Sequence, residues 1–423
     1  MFLSSLKTPL MSVRLDDGDG EDNDDIQPST PRSSLSFAAH DDSTDQPNHP
    51  SRLTLAVIGV LFLIFGAPMV VLLKSSLSCQ VEGITISPLL PALAMGIVMS
   101  LNLGPAMYKA DRIHFDVVEL WHRYKVLIVP ATLDLLSTLF MTAGLTTITA
   151  TEYVILRGTN MLFLPFIKAV LHFFRSSWAP EPLQRYEVWS SLVAFAAAAI
   201  VATTSIVASH LHASTANGET HSPTVVGLGI AAVLTGVILS VLQVLVESHF
   251  VQSKFEASEQ TGVEGIVVLV EAVAVFFGAE YLPGVPDDWK LSRSFPLFKH
   301  SSSLVAMFLA FMCLMTVFAY LAVKSGEGGP VFRASLNAAR GPAVFIIELA
   351  LHRADKNQGQ PWNRYGWGQV AALVLLTVAL LVSRKGKQEQ LKREEKEEEE
   401  EEIGQTAEDE PVRGLLVDSK HAV

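Results

Sequence analysis

The apolar run LTLAVIGVLFLIFGAPMVVLL occupies residues 53–73 and contains no charged side chain. Roughly 20 consecutive apolar residues form a helix that is long enough to cross the hydrocarbon core of a bilayer. A helix on the surface of a soluble protein would show a polar face with a period of about 3.6 residues, and this run has none. The run therefore predicts a transmembrane helix.

Further apolar runs of this kind follow along the chain and predict ten transmembrane helices in total. The fifth and tenth runs are as uninterrupted as the first, whereas charged residues interrupt those near 125–174, 262–280 and 330–351. We therefore predict an all-α polytopic membrane protein. The ten predicted spans are residues 53–74, 88–109, 125–147, 152–174, 187–209, 224–246, 262–280, 303–323, 330–351 and 366–383.

The formal net charge of −12 lies entirely in the two ends of the chain. Residues 1–51 contain ten Asp/Glu and three Lys/Arg, and residues 384–423 contain thirteen Asp/Glu and eight Lys/Arg. Residues 52–383 contain twenty of each sign. This composition predicts a disordered acidic N-terminal tail at 1–51 and a disordered, Glu-rich C-terminal tail at 384–423. For the run Glu397 to Glu402 within that tail, a solvated helix is the alternative. It argues against a nucleic-acid-binding protein, which needs a basic surface.

The positions of Lys and Arg near the predicted helix ends favour a cytosolic location for both termini. If the N-terminus is cytosolic, twelve of these residues lie on the cytosolic side and seven on the opposite side. Cytoplasmic loops carry such an excess of Lys and Arg. The bias comes from the first half of the chain, and the second half by itself leaves the orientation open.

The ten predicted helices divide into two sets of five, and an odd number of spans per set gives the two sets opposite orientations. Inverted repeats of this type are common among secondary transporters. Residues 153–171 also align with residues 333–351 without a gap, which would place the fourth and ninth spans at equivalent positions. We predict a first five-helix repeat at residues 52–223 and a second at residues 224–383.

Eight Asp, Glu, Lys or Arg side chains fall inside the predicted spans, away from the end residues, where a charge costs at least ~2.5–3.5 kcal/mol on insertion scales. We expect each of them to face a cavity or a partner. They are Asp134 in the third span, Arg157 and Lys168 in the fourth, Glu264 and Glu271 in the seventh, and Arg333, Arg340 and Glu348 in the ninth.

Their spacing places several of these side chains on common helix faces. At 100° per residue, Arg157 and Lys168 differ by about 20° around the helix axis, and so do Arg333 and Arg340. Arginine suits the recognition of carboxylate and phosphate groups. We therefore predict a water-filled cavity whose candidate substrate-binding residues are Asp134, Arg157, Asn160, Lys168, Asn337 and Arg340. The candidates for coupling or gating are Glu264, Glu271, Arg333 and Glu348.

Structural roles remain open for several of these residues. Asp134 would pair with Arg157 and hold the third span to the fourth. Lys168 lies near the end of its span, from which its ammonium group would extend to the membrane surface. Arg333 would be interfacial, and Glu271 would be either a proton-coupling carboxylate or the counter-ion of an arginine.

Two stretches of sequence carry a resemblance to a known family. Residues 134–145, DLLSTLFMTAGL, and residues 150–158, ATEYVILRG, resemble the third and fourth helices of the drug/metabolite transporter superfamily, which includes EamA and nucleotide-sugar-transporter-like proteins. Together with QVLVE at 243–247 and Glu264-Gly265, they are most similar to the F-type members of the thirty-fifth solute carrier family.

The resemblance covers roughly residues 53–383 and carries expectations about both fold and site. It implies ten helices in an inverted five-plus-five repeat, cytosolic termini and a central cavity lined by both halves. It also implies structural or functional weight for Asp134, Arg157, Glu247 and Glu264.

We therefore expect a secondary-active transporter that moves a small organic, anionic solute, such as a nucleotide sugar or a related metabolite, by alternating access. Two alternatives stay open: a proton-coupled exporter of cationic or zwitterionic solutes, and a non-transporting membrane adaptor whose acidic tails recruit protein partners. The helices contain no nucleophile–base or metal-ligand spacing. We expect neither an enzyme nor a bound cofactor or metal.

The expected partners are a small-molecule substrate and the lipid bilayer, with no nucleic acid, and the sequence leaves a homodimer open. Glu410 lies upstream of the di-leucine Leu415-Leu416, one position farther than the usual sorting spacing, and points to a lysosomal or vacuolar address. We expect an endomembrane, either Golgi or lysosome/vacuole, rather than the plasma membrane, which stays open.

Overall fold

Nine helices in the described part of the chain are long and apolar enough to cross a membrane, which is consistent with a multi-pass membrane protein. The computed structural model describes residues 52–79, 85–104, 123–174, 184–213, 222–251, 255–326, 329–355, 362 and 365–418. Those residues contain α-helices and short 3₁₀ turns and no strand, which confirms the all-α prediction for them. The predicted N-terminal tail, residues 1–51, lies outside the described residues.

The structure contains thirteen α-helices among the described residues. They are α1 (Arg52–Ser78), α2 (Leu90–Leu101), α3 (Ile128–Leu145), α4 (Ala150–Gly158), α5 (Asn160–Phe174), α6 (Arg185–Ala213), α7 (Pro223–Phe250), α8 (Ala257–Tyr281), α9 (Leu291–His300), α10 (Ser302–Ser325), α11 (Pro330–Ala339), α12 (Gly341–Ala354) and α13 (Gly366–Asp418).

The distribution of apolar and polar residues in the bundle is the one expected in lipid. Large apolar side chains such as Leu228 and Ile346 are 67% and 65% exposed on its outside. Polar side chains such as Asn160 and Glu264 are 3% and 1% exposed. A soluble monomer seldom exposes so much apolar surface, whereas a bilayer solvates it.

The second predicted span, residues 88–109, is the one that the described helices do not complete. Its described part forms α2, which has only 12 residues. At 1.5 Å per residue α2 is about 18 Å long, which is short of the roughly 30 Å hydrocarbon core. The rest of that span from residue 105 lies outside the described residues.

The fourth and ninth predicted spans are each broken near the middle. In the fourth, the backbone N–H and the hydroxyl of Thr159 both donate to the Leu156 carbonyl, which tightens the turn between α4 and α5. In the ninth, Arg340 separates α11 from α12, and Pro342 follows at the start of α12. Proline has no N–H to donate and its ring crowds the preceding turn, so the first helix ends there.

Helices from the first half of the chain pack mainly against helices from the second half. The pairs are α1 with α10, α2 with α8, α3 with α7, α6 with α13, and α4 with α11 and α12. Small residues allow close approach in these pairs. A Cβ atom on Gly144 of α3 would lie 2.5 Å from the carbonyl oxygen of Gly229 in α7.

The last helix continues well beyond the predicted tenth span. We predicted a disordered tail from residue 384, but α13 runs from Gly366 to Asp418 as one helix of 53 residues. Glu, Lys, Gln and Arg, which dominate this segment, are good helix formers. The hydroxyl of Tyr186 in α6 donates to Gln390 at 3.1 Å and ties the start of this extension to the bundle.

Candidate functional site

A cavity of about 90 Å³ lies between the helices, with walls from both halves of the chain. At roughly 10–15 Å³ per water molecule, it holds several waters or part of a small solute. Its walls are formed by Met69, Val70, Leu73, Pro91, Met95, Met99, Asp134, Thr138, Met141, Thr142, Tyr153, Arg157, Gln243, Glu264, Phe311, Met315, Phe318, Ala319, Ala322, Val323 and Arg333.

Four of the ionisable residues predicted from the sequence line this cavity. They are Asp134 of α3, Arg157 of α4, Glu264 of α8 and Arg333 of α11. These side chains are up to 199 positions apart in sequence, and helix packing brings them to one space. The cavity wall therefore carries two cationic and two acidic groups.

Arg157 is the cationic group of the wall without an acidic partner among the described residues. Its Nη1 donates to the hydroxyl of Tyr153 one turn earlier at 3.2 Å, and its Nε has no hydrogen-bond partner. The predicted ion pair between Arg157 and Asp134 is not present: no ion pair within 4.0 Å joins these two described residues, although Arg157 acts on Asp134 electrostatically over a longer distance. Both side chains are therefore open to a ligand.

Arg333 is neutralised by a carboxylate just outside the cavity wall. Its Nη1 lies 2.5 Å from an oxygen of Glu247 in α7, and both side chains are largely buried. The amide of Gln243 donates to the other carboxylate oxygen of Glu247 at 2.6 Å. This pair holds α11 against α7 at one end of the cavity.

Glu264 has one carboxylate oxygen without a hydrogen-bond partner. Gln260 donates to Oε1 at 2.9 Å, whereas Oε2 is buried and receives no donor. Asp134, Glu247 and Glu264 all act electrostatically on the guanidinium of Arg333. Together with Arg157, which acts on Asp134, the site has three carboxylates and two guanidinium groups.

Methionines form much of the apolar part of the wall. Five of the 11 methionines in the chain line the cavity. Hydroxyl groups contact two of these thioethers, Thr138 with the sulfur of Met95 at 3.4 Å and Tyr153 with that of Met141 at 3.5 Å. Methionine is flexible and polarizable, which suits a site that adapts to its ligand. Sequence reasoning missed this feature because the methionines follow no period.

Three of the other predicted residues have partners outside the cavity wall. Glu348 of α12 accepts hydrogen bonds from the backbone N–H groups of Ala150 and Thr151 at 3.1 and 2.8 Å, and so caps the first turn of α4. Lys168 forms an ion pair with Glu187 at 3.7 Å. Glu271 accepts a hydrogen bond from the Thr132 hydroxyl at 2.6 Å.

The remaining predicted residues, Asn160, Asn337 and Arg340, lie at or next to the two helix breaks. The side-chain oxygen of Asn160 is buried without a hydrogen-bond partner. Nη2 of Arg340 donates to Asn337 at 2.9 Å, while its Nε and Nη1 have no partner. The Arg340 side chain is fully buried.

Two phenylalanine rings surround the guanidinium of Arg340. Its central carbon lies 5.3 Å from the ring centre of Phe62 and 5.0 Å from that of Phe318, and the two ring centres are 4.6 Å apart. Each desolvated cation–π contact contributes about 2 kcal/mol. The effective cost of burying an ion is several kcal/mol. Together the two rings contribute about 4 kcal/mol, which is comparable to this cost, but they leave Nε and Nη1 without hydrogen-bond acceptors.

A further cluster lies at the adjoining ends of α3 and α8. Arg123 forms an ion pair with Glu259 at 2.8 Å and lies over the rings of Tyr124 and Phe255. The Tyr124 hydroxyl donates to Glu259. Burial, with this hydrogen bond as the second cause, raises the pKa of Tyr124 to about 12. Tyr124 is thus a neutral hydrogen-bond donor at physiological pH.

Comparison with known proteins adds no assignment of function. No family model matches the sequence, and no curated protein matches it. Chains of solved structures do match. One, described as "Crystal structure of protein", is 14% identical, and the alignment covers 79% of this chain and 97% of that chain with a TM-score of 0.47. That similarity identifies neither a family nor a ligand.

Proposed function

We propose that the protein is a secondary-active transporter of the drug/metabolite type, which moves a small organic solute across an endomembrane by alternating access. The observation that carries the proposal is the cavity with Asp134, Arg157, Glu264 and Arg333 on its wall, inside a bundle whose outside is apolar. Ionisable residues inside membrane-spanning segments commonly mark substrate and ion pathways.

The helix packing supports an inverted repeat of five plus five spans. Numbered by predicted span, the main contacts join one to eight, two to seven, three to six, four to nine and five to ten. If each span is replaced by the span five places before or after it, every contact in this set becomes a contact that is also in the set. The breaks in spans four and nine, at Thr159 and Arg340, fall at corresponding places as well. Alternating access arises when two such repeats rock around a shared site.

The solute that this cavity suits best is a small organic molecule with at least one anionic group. Arg157 faces the cavity without an acidic partner among the described residues, and its guanidinium can hold a carboxylate or phosphate in two hydrogen bonds. Asp134 and Glu264 add acceptors for hydroxyl or amino groups of the same solute. The methionines and Phe311 provide apolar contact.

Proton coupling is a second candidate, favoured by the unpartnered oxygen of Glu264. Asp134, Glu247 and Glu264 outnumber Arg157 and Arg333, so uptake of a proton would relieve the repulsion between the carboxylates. Glu264 lines the cavity and Glu271 does not, which makes Glu264 the coupling candidate of the two. A proton bound there would exchange for a cationic or zwitterionic solute.

Uptake into liposomes that contain the purified full-length protein tests both candidates. We expect uptake of at least one anion from a labelled panel of a nucleotide sugar, a sugar phosphate and a dicarboxylate. Arg157→Ala should reduce that uptake at least tenfold, and Arg157→Lys should reduce it less because the charge remains. Lys168→Ala is the matched control, since Lys168 has its own partner outside the cavity.

The same liposomes separate the alternatives. If uptake depends on a pH gradient in the wild type but not in Glu264→Gln, the protein is proton-coupled. If Arg157→Ala leaves the uptake of every anion unchanged, the anion proposal is wrong. If no solute moves and the acidic tails bind a specific protein, the adaptor alternative replaces transport.

A further inference from the structure

Arg340 is a buried cation whose donors are mostly unused. Only Nη2 has a hydrogen-bond acceptor, the side chain is 0% exposed, and no acidic group of the described residues lies within ion-pair distance. Arginine does not deprotonate at physiological pH. A buried charge of this kind needs an anion as its partner, and none of the described residues provides one in this conformation.

The ring of Phe318 forms the partition between Arg340 and the cavity. Phe318 belongs to the cavity wall, and its ring centre lies 5.0 Å from the guanidinium carbon of Arg340. Phe62 contacts the same guanidinium but does not belong to the wall. Displacement of Phe318 would therefore open Arg340 to the cavity, whereas displacement of Phe62 would not.

The space around Phe62, Phe318 and Arg340 is limited on the side of α1. A Cβ atom on Gly66 would lie 2.7 Å from the Phe318 ring and 2.8 Å from Cδ of Arg340. The absence of a side chain at Gly66 is what lets ring and guanidinium meet there. The α1 backbone at Gly66 therefore leaves neither group room to move toward α1.

We propose that Arg340 is a second oxyanion-binding residue, screened from the cavity by Phe318 in this conformation and presented to it when the Phe318 side chain turns aside. The ligand is a carboxylate or phosphate group, because the guanidinium fork matches the two oxygens of such groups. This inference rests on the proposed function in one respect, namely that the solute occupies the cavity. Arg157 would hold the oxyanion first, and Arg340 would receive it.

Equilibrium binding of inorganic phosphate to the full-length protein in nanodiscs tests this arrangement at constant ionic strength. Phe318→Leu should raise the affinity for phosphate at least tenfold, because it opens the path to Arg340. Phe62→Leu is the matched control and should change the affinity by less than threefold. Adding Arg340→Gln to Phe318→Leu should abolish the gain.

Two results would overturn the proposal: no gain in Phe318→Leu, or a gain that survives Arg340→Gln. Thiol labelling gives a second readout, which does not depend on anion binding. In a Cys79→Ala, Cys313→Ala background, Arg340→Cys should react with a sulfonate methanethiosulfonate at least tenfold faster when Phe318→Leu is present. Val344, in α12, is fully buried as Arg340 is, and Val344→Cys should stay unreactive with or without Phe318→Leu. Equal acceleration at the two cysteines would also count against the proposal.

The outcomes distinguish this inference from the transport proposal because binding is measured without a gradient. Arg340-dependent phosphate binding in a protein that moves no solute would leave the site standing and remove the transport function. Uptake that persists alongside Arg340-independent binding would remove the site and leave transport intact.

Discussion

Arg157, Arg333 and Arg340 show how differently three arginines can be used within one bundle. Arg333 pairs with Glu247, Arg157 faces the cavity, and Arg340 is enclosed by aromatic rings. Their positions in the spans are readable from the sequence, and so is their helical spacing. Their partners are not, because Glu247 is 86 residues from Arg333 and the rings around Arg340 come from two other helices. The division of roles therefore depends on packing that no local pattern encodes.

Glu348 is expected to contribute to stability rather than to solute binding, because it caps α4 from a distant part of the chain. Replacing it by leucine leaves the N–H groups of Ala150 and Thr151 without their acceptor. We expect Glu348→Leu to lower the free energy of unfolding by about 1–3 kcal/mol, and Glu348→Gln to lower it less because an acceptor oxygen remains. Thermal unfolding of the nanodisc-embedded protein measures both.

The surface residue Glu389 provides the control for this substitution. Glu389→Leu removes the same group from an exposed position of α13, where the effect should stay within about 0.5 kcal/mol. Equal destabilisation by Glu348→Leu and Glu389→Leu would contradict the capping role.

Helix existence was easier to predict than helix continuity. Among the described residues, nine apolar runs form nine helical stretches that are long enough to cross a membrane, two of them broken near the middle. Hydrophobicity and length suffice to predict such stretches. Pro342 is a readable signal for the break in the ninth span, whereas the break at Thr159 has none, because Pro165 lies inside α5. The extension of α13 through residues predicted to be a disordered tail shows that polarity alone does not exclude a helix. Segments rich in Glu and Lys can form a helix because of their intrinsic helix propensity, without packing against a hydrophobic core.

The close contact between α2 and α8 is expected to depend on Gly265 of α8. A Cβ atom there would lie 2.3 Å from the backbone nitrogen of Ser100 and 2.5 Å from the carbonyl carbon of Met99 in α2. Gly265→Ala should therefore force α2 and α8 apart and lower the free energy of unfolding by about 1–3 kcal/mol. The change in thermal unfolding temperature reports this effect.

Gly278 lies on the same helix and is a matched control. A Cβ atom there meets nothing closer than 3.7 Å, so Gly278→Ala should be neutral or stabilise by about 0.4–1 kcal/mol. If Gly265→Ala is tolerated as well as Gly278→Ala, the contact between α2 and α8 is looser than the structure indicates.

At the scale of the whole molecule, the number of crossings decides whether the termini share a side. The described residues supply nine spans, and α2 supplies part of a tenth. The predicted inverted repeat, the cytosolic termini and the compartment stay predictions. The helix bundle by itself does not show which of its two ends faces the cytosol. The cavity was predictable as a property of charged spans, but its methionine wall was not.

Epitope tags at both termini test the ten-span topology. In cells with a selectively permeabilised plasma membrane, antibodies should reach both tags, because ten crossings return the chain to the cytosolic side. A tag inserted after Gly284, in the turn between α8 and α9, should stay protected until the internal membranes are opened. Accessibility of only one terminus would mean an odd number of crossings and would contradict the five-plus-five arrangement.

The pairing of early helices with late ones has a consequence for synthesis on the ribosome. α1 ends at residue 78 and its main partner α10 begins at residue 302, a difference of 224 positions. At about 5–20 residues per second, α1 is complete roughly 10–45 s before α10 starts to emerge. During that interval the first helices reside in the membrane with their partner faces turned to lipid or to the insertion machinery. Maturation of this protein is thus a late, collective event that awaits the end of translation.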